Sequence, residues 1–457
     1  MRDFLPEDVR RREHVIGVIK RVYERYGFEP LETPAAENLE TLLGKYGEEG
    51  NKLIFKILKR GEHEATGQAD LALRYDLTVP LARVVAQHQA KLPRPFKRYQ
   101  IQPVWRADRP GRGRFREFYQ CDVDALGSTS PVVEAELCGA VAEAMTELGF
   151  SDFVIRINHR QLLTSMLESK GIEIEASEHV ATLVTLDKLD KVGREGVEKE
   201  LEGHGRSRAA VKALMDLFAP PPPSARTTSR AIDGLRNAYA PSTPAVIRQA
   251  LDGLLNVVPK GGSAIANLHE ILALAEQTNA KGRITFDRSL ARGLSYYTGA
   301  IMEVNVDGIG SLGGGGRYDN LVGMFSGQQI PACGFSLGLE RILVVMTERG
   351  MFPASLATSP ADVMVATFDA SGAGPAMRLA DRLRSAGLRV MVYPDPDKIG
   401  KQIKYADGRR IPFVAILGDD EITAGTVTVK NLAAQTQQTY DQTAAGPAIR
   451  EALKQRG

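Results

Sequence analysis

Cysteine is scarce in this chain, and the placement of what there is excludes two classes of scaffold. Cys121, Cys138 and Cys333 stand far apart with no Cys-x-x-Cys spacing, which argues against a disulfide framework or a zinc site and fits a reducing compartment. Long apolar runs are missing as well: none approaches the ~18 residues that a membrane-spanning helix needs. Met1-Arg-Asp-Phe-Leu-Pro6 lacks the apolar core of a signal peptide. The expectation is a soluble, cytoplasmic protein with no membrane partner. Neither sign of charge is in excess. The 457 residues carry a formal net charge of +2, so a nucleic-acid partner would need local basic patches rather than a bulk positive field. What remains is an ordinary globular composition, 43% hydrophobic and 25% charged, with length for two or three domains that each bury a core.

Against that background one stretch stands out. Pro95 to Arg106 and Phe115 to Asp124 are aromatic and β-branched runs flanking a loop with Pro110, Gly111 and Gly113, which predicts an antiparallel hairpin. Side chains of the second run alternate between two faces. Phe115, Tyr119, Cys121 and Val123 form a mostly apolar face that should pack inward. Arg114, Arg116, Phe118, Gln120, Asp122 and Asp124 form the other. Arg106, Arg109, Arg112, Arg114 and Arg116 crowd the loop end, and arginine's planar fork suits phosphate oxygens. Phe118 could stack on a flat ring, and Gln120 and Asp124 could hold an ammonium or amide-like group. The face reads as a graded site for phosphates, a ring and a small cation. A solvated edge hairpin with surface ion pairs reads the same spacing equally well.

Other stretches carry both a plain and a functional reading. Pro6-Glu7-Asp8 opens a helix whose apolar positions run from Val15 to Tyr26, with Gly27 as its stop and an extended Phe28 to Pro34 after it. Ile54 to Leu58 and Leu71 to Arg74 are short strand candidates, and Val79 to His88 reads as a helix. Asp76 and Thr78 could be no more than a helix cap and turn. Val132 to Leu148 reads as a helix, and Phe153 to Ile157 and Ala300 to Val306 as strands. Arg292-Gly-Leu-Ser295-Tyr296-Tyr297 places an arginine on a glycine-bearing turn beside two tyrosines, which could equally be core residues with satisfied hydroxyls. Gly313 to Gly316 has the composition of a linker, but Arg317-Tyr318-Asp319 and the apolar residues after it point to a tight turn into a helix. Cys333 to Arg341 reads as strand, glycine turn and helix start.

Texture divides the chain further. Residues 171–283 alternate charged helical stretches with a Pro220 to Pro223 break. From Pro360 onward, strands near Val363 to Phe368, Leu388 to Tyr393 and Phe413 to Leu417 alternate with helices at Pro375 to Ala386 and Ile399 to Gly408. That pattern predicts a mostly parallel sheet covered on both faces, with a later strand at Thr426 to Lys430 and a closing helix at Ala448 to Gln455. Lys398, Lys401, Lys404, Arg409, Arg410 and Lys430 give this part a basic surface suited to RNA.

Arg106-Ala-Asp108, the loop and Arg114-Phe-Arg-Glu-Phe118 resemble the second signature motif of class II aminoacyl-tRNA synthetases, and Gly113-Arg-Phe-Arg-Glu-Phe-Tyr-Gln-Cys-Asp122 is similar to the histidyl-tRNA synthetase form of it. The helix, strand and Pro34 near the start resemble the first class motif, and Cys333 to Arg341 the third. Arg292-Gly-Leu-x-Tyr-Tyr-Thr-Gly299 and Gly313-Gly-Gly-Gly-Arg-Tyr-Asp319 look like the two histidine-specific motifs. Ser295 departs from the family, which usually has Asp there, so no ligand role is carried onto it. Gly400 to Asp407 and Gly425 to Asn431 resemble the family's anticodon-binding domain.

The resemblance, which covers nearly the whole chain, implies an α+β fold. A class II catalytic core, an antiparallel sheet flanked by helices, would occupy 1–170 and 284–350, with a helical insertion at 171–283. A linker at 351–360 would lead to an α/β anticodon-binding domain at 361–457. It implies a homodimer that activates L-histidine with ATP, accompanied by Mg2+, and passes it to tRNA(His). Arg106 and Arg292 would be catalytic. Asp108, Arg114, Phe118 and Arg341, with Arg106, would bind ATP. Asp76, Thr78, Gln120, Asp124, Tyr296, Tyr297 and Tyr318 would join Arg106 and Arg292 around histidine. Arg109, Arg112, Lys401 and Lys404 would touch tRNA, and no side-chain metal site is expected. A site built to hydrogen-bond an imidazole rejects analogues by roughly 10⁴-fold or more, so no editing domain is expected. Two rivals remain: a catalytically silent regulatory subunit of histidine biosynthesis, and an RNA-binding sensor without chemistry. The retained arginines and C-terminal domain speak against the first, and intact ATP and histidine pockets against the second.

Overall fold

A computed structural model describes residues 1–61, 66–169, 176–186, 188–218, 243–291, 296–353, 356 and 359–455. Arg292, Ser295 and the Pro220 to Pro223 run lie outside the described residues. The chain divides into two compact units, Met1–Phe4 with Arg12–Met351, and Leu5–Arg11 with Phe352–Gly457.

The strands of the first unit are, in chain order, β1 (Glu29–Pro30), β2 (Ala36–Asn38), β3 (Lys56–Leu58), β4 (Ala69–Leu73), β5 (Phe96–Trp105), β6 (Glu117–Leu126), β7 (Phe153–His159), β8 (Ile284–Phe286), β9 (Ala300–Val306), β10 (Gly310–Arg317) and β11 (Ala332–Gly338). Among the described residues, eight of them form one sheet in the order β1-β5-β6-β11-β10-β9-β7-β8. Every pairing is antiparallel except the outermost ones, β1 with β5 and β7 with β8. β2, β4 and β3 make a small antiparallel sheet beside it.

Helices cover the large sheet: α1 (Pro6–Arg25), α2 (Thr78–His88), α3 (Val132–Glu147) and α4 (Leu339–Glu348). Helix α1 begins with Glu7 and Asp8, acids at the positive end of its dipole, and buries Val15, Val18, Ile19, Val22 and Tyr23 on one stripe. The Tyr23 hydroxyl donates to the Cys121 carbonyl of β6 over 3.3 Å, which ties the helix to the centre of the sheet. Gly27 then takes φ +74, a left-handed turn that a side chain would strain. Between residues 176 and 275 the described residues carry helices and no strand.

Two expectations are corrected here. The glycine run 313–316 is neither linker nor turn but the middle of strand β10. A Cβ on Gly313 would lie 2.4 Å from the Ser336 carbonyl oxygen, one on Gly315 2.0 Å from that of Gly334, and one on Gly316 2.6 Å from that of Ala300. Glycine lets β9, β10 and β11 approach where any side chain would strike backbone.

The second correction concerns the second unit. Its strands β12 (Val363–Thr367), β13 (Val390–Val392), β14 (Phe413–Leu417), β15 (Thr426–Asn431) and β16 (Thr436–Asp441) run in the order β13-β12-β14-β15-β16. Only β13-β12-β14 are parallel, and β14-β15-β16 are antiparallel, so the sheet is mixed rather than mostly parallel. The link from Asn431 to Thr436 is too short for a crossover and forces a hairpin. Both faces are covered, as the alternating pattern predicted. Val363, Val365 and Phe413 pack with Leu379 and Leu383 of α5 (Ala373–Ser385). Met364 and Val414 pack with Ala406 of α6 (Ile399–Gly408).

Candidate active site

The site is built on one face of the large sheet. Strand β6 is interior, flanked by β5 and β11, so the hairpin is not a solvated edge. Residues directly opposite share a face, which creates three rows. Arg98, Asp124, Gly334 and Gly316 form one; Gln100, Asp122, Ser336 and Gly314 form the next; Gln102, Gln120 and Gly338 form the third. In these rows β11 and β10 contribute only glycines and a serine hydroxyl. The missing side chains leave a cleft of about 290 Å³.

Six of the residues expected at an ATP or histidine site line that cleft together: Arg106, Asp108, Arg114, Phe118, Gln120 and Arg341. Arg106 Nε donates to the Tyr75 carbonyl over 3.0 Å. Its guanidinium sits 4.3 Å from the Tyr75 ring centroid and 5.2 Å from that of Phe118. It is thereby held between the cleft and the segment bearing Asp76. Arg341, in the first turn of α4, donates from Nη1 to the Ser311 carbonyl over 2.6 Å. Gly113 closes over it at φ +66, where an added Cβ would come 3.0 Å from Arg341 Cγ. Arg109 and Arg112 stand exposed on the loop, and Arg112 pairs with Glu348.

Toward the other end of β6 the polar face is fully buried. Arg98, with no solvent exposure, lies 2.8 Å from Asp124 Oδ2 and 3.8 Å from Asp122 Oδ2. Tyr318 donates its hydroxyl to Asp124 Oδ1 over 2.5 Å. Burial raises both carboxyl pKa values, that of Asp122 to about 7, against the opposing pull of the Arg98 charge. The Tyr296 ring packs edge-on against Tyr297 at 5.1 Å and Tyr318 at 5.9 Å, and its hydroxyl hydrogen-bonds Thr78.

Asp76 meets its plain reading as a helix cap and has one oxygen left over. Its Oδ1 accepts from the Val79 backbone N–H and from the Tyr46 hydroxyl, each over 3.0 Å, capping α2. Its Oδ2 is buried with no hydrogen-bond partner among the described residues, and burial raises its pKa. Gln120 shows the same division: Nε2 donates to Ser336 Oγ over 3.0 Å, while Oε1 is buried without a partner. An orphaned carboxylate oxygen and an orphaned amide oxygen are acceptors that a cationic or N–H-bearing ligand would satisfy.

Arg98, Ser336, Tyr46 and Glu340 were missed as site residues by sequence reasoning, and Asp122 was seen on the polar face without a role. Arg98 had a signal, since it falls on the alternating face of β5. Tyr46 had none, because only the fold brings it to Asp76. Lys401 and Lys404 lie on the exposed face of α6 in the second unit, with Lys401 paired to Asp397 at 2.8 Å. Among the described residues no group of three His, Cys, Asp or Glu could hold a metal ion, and no helix is long and apolar enough to cross a membrane.

Residues 1–342 match the sequence model of the family described as histidyl-tRNA synthetase, and residues 362–452 match that of the anticodon binding domain. A histidine–tRNA ligase of Gloeobacter violaceus is 41% identical, covering 99% of this chain and 98% of its own length. One of Christiangramia forsetii is 40% identical over 96% of each chain. The crystal structure of histidyl-tRNA synthetase from Nostoc sp. PCC 7120 superposes with a TM-score of 0.77 at 30% identity, over 99% of this chain and 97% of that one.

Proposed function

The chain belongs to the histidyl-tRNA synthetase family and is an aminoacyl-tRNA synthetase that ligates histidine to tRNA; from that premise we propose how its cleft carries out the reaction. A carboxylate oxygen of L-histidine attacks the α-phosphorus of ATP, the bond to the bridging oxygen breaks, and pyrophosphate leaves. A hydroxyl of the 3′-terminal ribose of tRNA(His) then attacks the carbonyl carbon of histidyl-adenylate, and AMP departs. The protein supplies position and charge rather than a covalent partner.

Arg106 is the hinge of this reading. Held by Tyr75 and Phe118, it faces the cleft beside Asp76 and would bind both the histidine carboxylate and the α-phosphate. Phe118 would stack on adenine, with Asp108 near its amino group, and Arg114 and Arg341 would take the outer phosphates. Asp76 Oδ2, with Thr78 nearby, would accept from the α-ammonium. Gln120, Asp124, Tyr297 and Tyr318 would surround the amino acid, with Tyr296 packed behind. Arg292 would oppose charge on the α-phosphate. The observation that carries the proposal is the continuity of one sheet face, from guanidiniums at the loop end to buried carboxylates at the other. Magnesium would enter on ATP's own phosphate oxygens, near Asp108 and Glu340, the carboxylates that line the cleft among the described residues.

The proposed domain plan keeps catalytic segments at 1–170 and 284–350, a helical insertion at 171–283 that leans on the acceptor stem, a linker at 351–360, and anticodon recognition in 361–457 through Lys401 and Lys404. Arg109 and Arg112 would meet the acceptor end. The α1 helix and Pro34, the counterpart of the family's dimer motif, support a homodimer, and the part these substrates play in translation supports a cytoplasmic setting. The regulatory-subunit reading is not favoured, because relatives at about 40% identity across the chain are histidine–tRNA ligases. Incubating the protein with ATP, labelled histidine and a tRNA(His) transcript should give acid-precipitable label; none with any tRNA would defeat the proposal.

A further inference from the structure

Outside the residues assigned above, a stack of alternating rings and guanidiniums runs along the back of the nucleotide cleft. The Arg2 guanidinium lies 4.5 Å from the Phe115 centroid and 4.5 Å from that of Phe4. The Arg12 guanidinium lies 4.7 Å from Phe4 and 4.9 Å from Tyr119. The order is therefore Phe115, Arg2, Phe4, Arg12, Tyr119, with Phe4 shared between two cations. Phe115 lines the cleft and Tyr119 stands on β6, so the ladder grips the nucleotide hairpin at two points.

The same residues surround a buried carboxylate. Glu340 is 2% exposed, and its Oε1 and Oε2 both accept from the Tyr119 backbone N–H, over 3.1 and 2.9 Å. Burial raises its pKa to about 7, and the charges of Arg2 and Arg12 pull it back. Glu340 lines the cleft and immediately precedes Arg341 in α4. A carboxylate there would repel a polyphosphate unless cations stood behind it.

We propose that Arg2, Phe4 and Arg12 are positioning residues for ATP: their stack pins Phe115 and Tyr119, and their charges offset Glu340, so that the Glu340–Tyr119 tie sets the turn presenting Arg341 to the phosphates. The proposal rests on the assignment of this cleft to ATP and goes beyond it. None of the three residues is among those that line the cleft. Their effect falls on the wall that does, and leaves the histidine end, built on Asp76, Asp124 and Tyr318, alone.

The test is histidine-dependent ATP–pyrophosphate exchange by the full chain, with both substrate KM values measured for wild type, Arg2→Ala/Arg12→Ala and Phe4→Leu. Losing four cation–π pairs and the charges behind Glu340 should raise the ATP KM of the double variant roughly tenfold, with the histidine KM moved by less than about twofold. Phe4→Leu keeps both charges and the hydrophobic contact but removes the shared ring, and should raise the ATP KM by roughly threefold. Arg2→Ala/Arg12→Lys, which keeps the charge at position 12 without the planar stack, should raise the ATP KM less than Arg2→Ala/Arg12→Ala does. An unchanged ATP KM in the double variant and in Phe4→Leu would overturn the proposal, as would equal rises in both KM values, the mark of general loosening. Absence of exchange in wild type would instead defeat the assignment of the cleft itself.

Discussion

Tyr318, just past the end of β10, donates its hydroxyl hydrogen to Asp124 Oδ1 on β6 over 2.5 Å, with both side chains buried. Two strands that never pair are joined by this bond across β11. Asp124 is thereby held between a neutral donor and the Arg98 guanidinium, and the pocket beside it keeps a fixed shape.

Tyr318→Phe removes that donor without changing the ring. A hydrogen bond to a charged buried group contributes about 1.5–3 kcal/mol, so the histidine KM should rise by about one to two orders of magnitude. The ATP KM should stay within about twofold, because the lost contact is not on the nucleotide wall. Measuring both constants in the exchange reaction checks the split.

Gly334→Ala should be far harsher than its single methyl suggests. An added Cβ would come 1.9 Å from Asp124 Oδ1 and 2.6 Å from its Cγ, so the carboxylate must leave its place. Overpacking of this kind costs about 1–3 kcal/mol. Thermal denaturation should show a lower midpoint, and histidine should no longer raise that midpoint while ATP still does. Gly314→Ala, whose Cβ would meet the Met302 carbonyl oxygen at 3.1 Å, should be milder in both respects.

The buried carboxylates make stability depend on pH in an uncommon direction. Burial raises the Asp122 pKa to about 7, above the ~3.9 of an exposed aspartate, so the folded state holds the proton more tightly than the unfolded one. Stability is then greatest below the unfolded value and falls as pH rises toward 7, where ionisation inside the protein becomes obligatory. The advantage of Asp122→Asn over wild type in thermal midpoint should be small near pH 4 and grow toward pH 8. A gain of equal size at both pH values would mean that Asp122 does not titrate in this window.

Much of this arrangement is legible in the sequence, for a physical reason. Alternation over Glu117–Leu126 displays both faces of a strand, and arginines with glycine at its start mark the loop that borders the cleft. The resemblance of Arg106 to Phe118 to a family motif then names the chemistry. What stays hidden depends on neighbours in space rather than in sequence. Nothing near Tyr46 announces that its hydroxyl reaches Asp76, and nothing in Gly313 to Gly316 distinguishes a hinge from a strand squeezed between two others. The antiparallel half of the C-terminal sheet was obscured because Thr436–Asp441 is polar and exposed along its length, the composition of a loop rather than of a strand. Arg2, Phe4 and Arg12 carry no recognisable spacing at all; the fold alone lays them between Phe115 and Tyr119.

Ser336→Ala tests a finer point of the amino-acid end. The Ser336 hydroxyl accepts from Gln120 Nε2, which leaves the amide oxygen as the group available to a ligand. Without it the amide can turn, and the histidine KM should rise by about fivefold, the worth of one ordinary hydrogen bond. Ser336→Thr, which restores the hydroxyl, should recover most of that loss in the same exchange measurement.

The central claim is that a guanidinium on this sheet face aligns the carboxylate of histidine with the α-phosphate of ATP. Its most direct test is ATP–pyrophosphate exchange by wild type and Arg106→Ala, run with histidine and with each other amino acid in turn. The account predicts exchange by wild type with histidine alone, and a loss in kcat/KM of roughly a thousandfold in Arg106→Ala, the scale of removing a preorganised charge from a developing one. Exchange supported by a different amino acid, or full activity in Arg106→Ala, would contradict it.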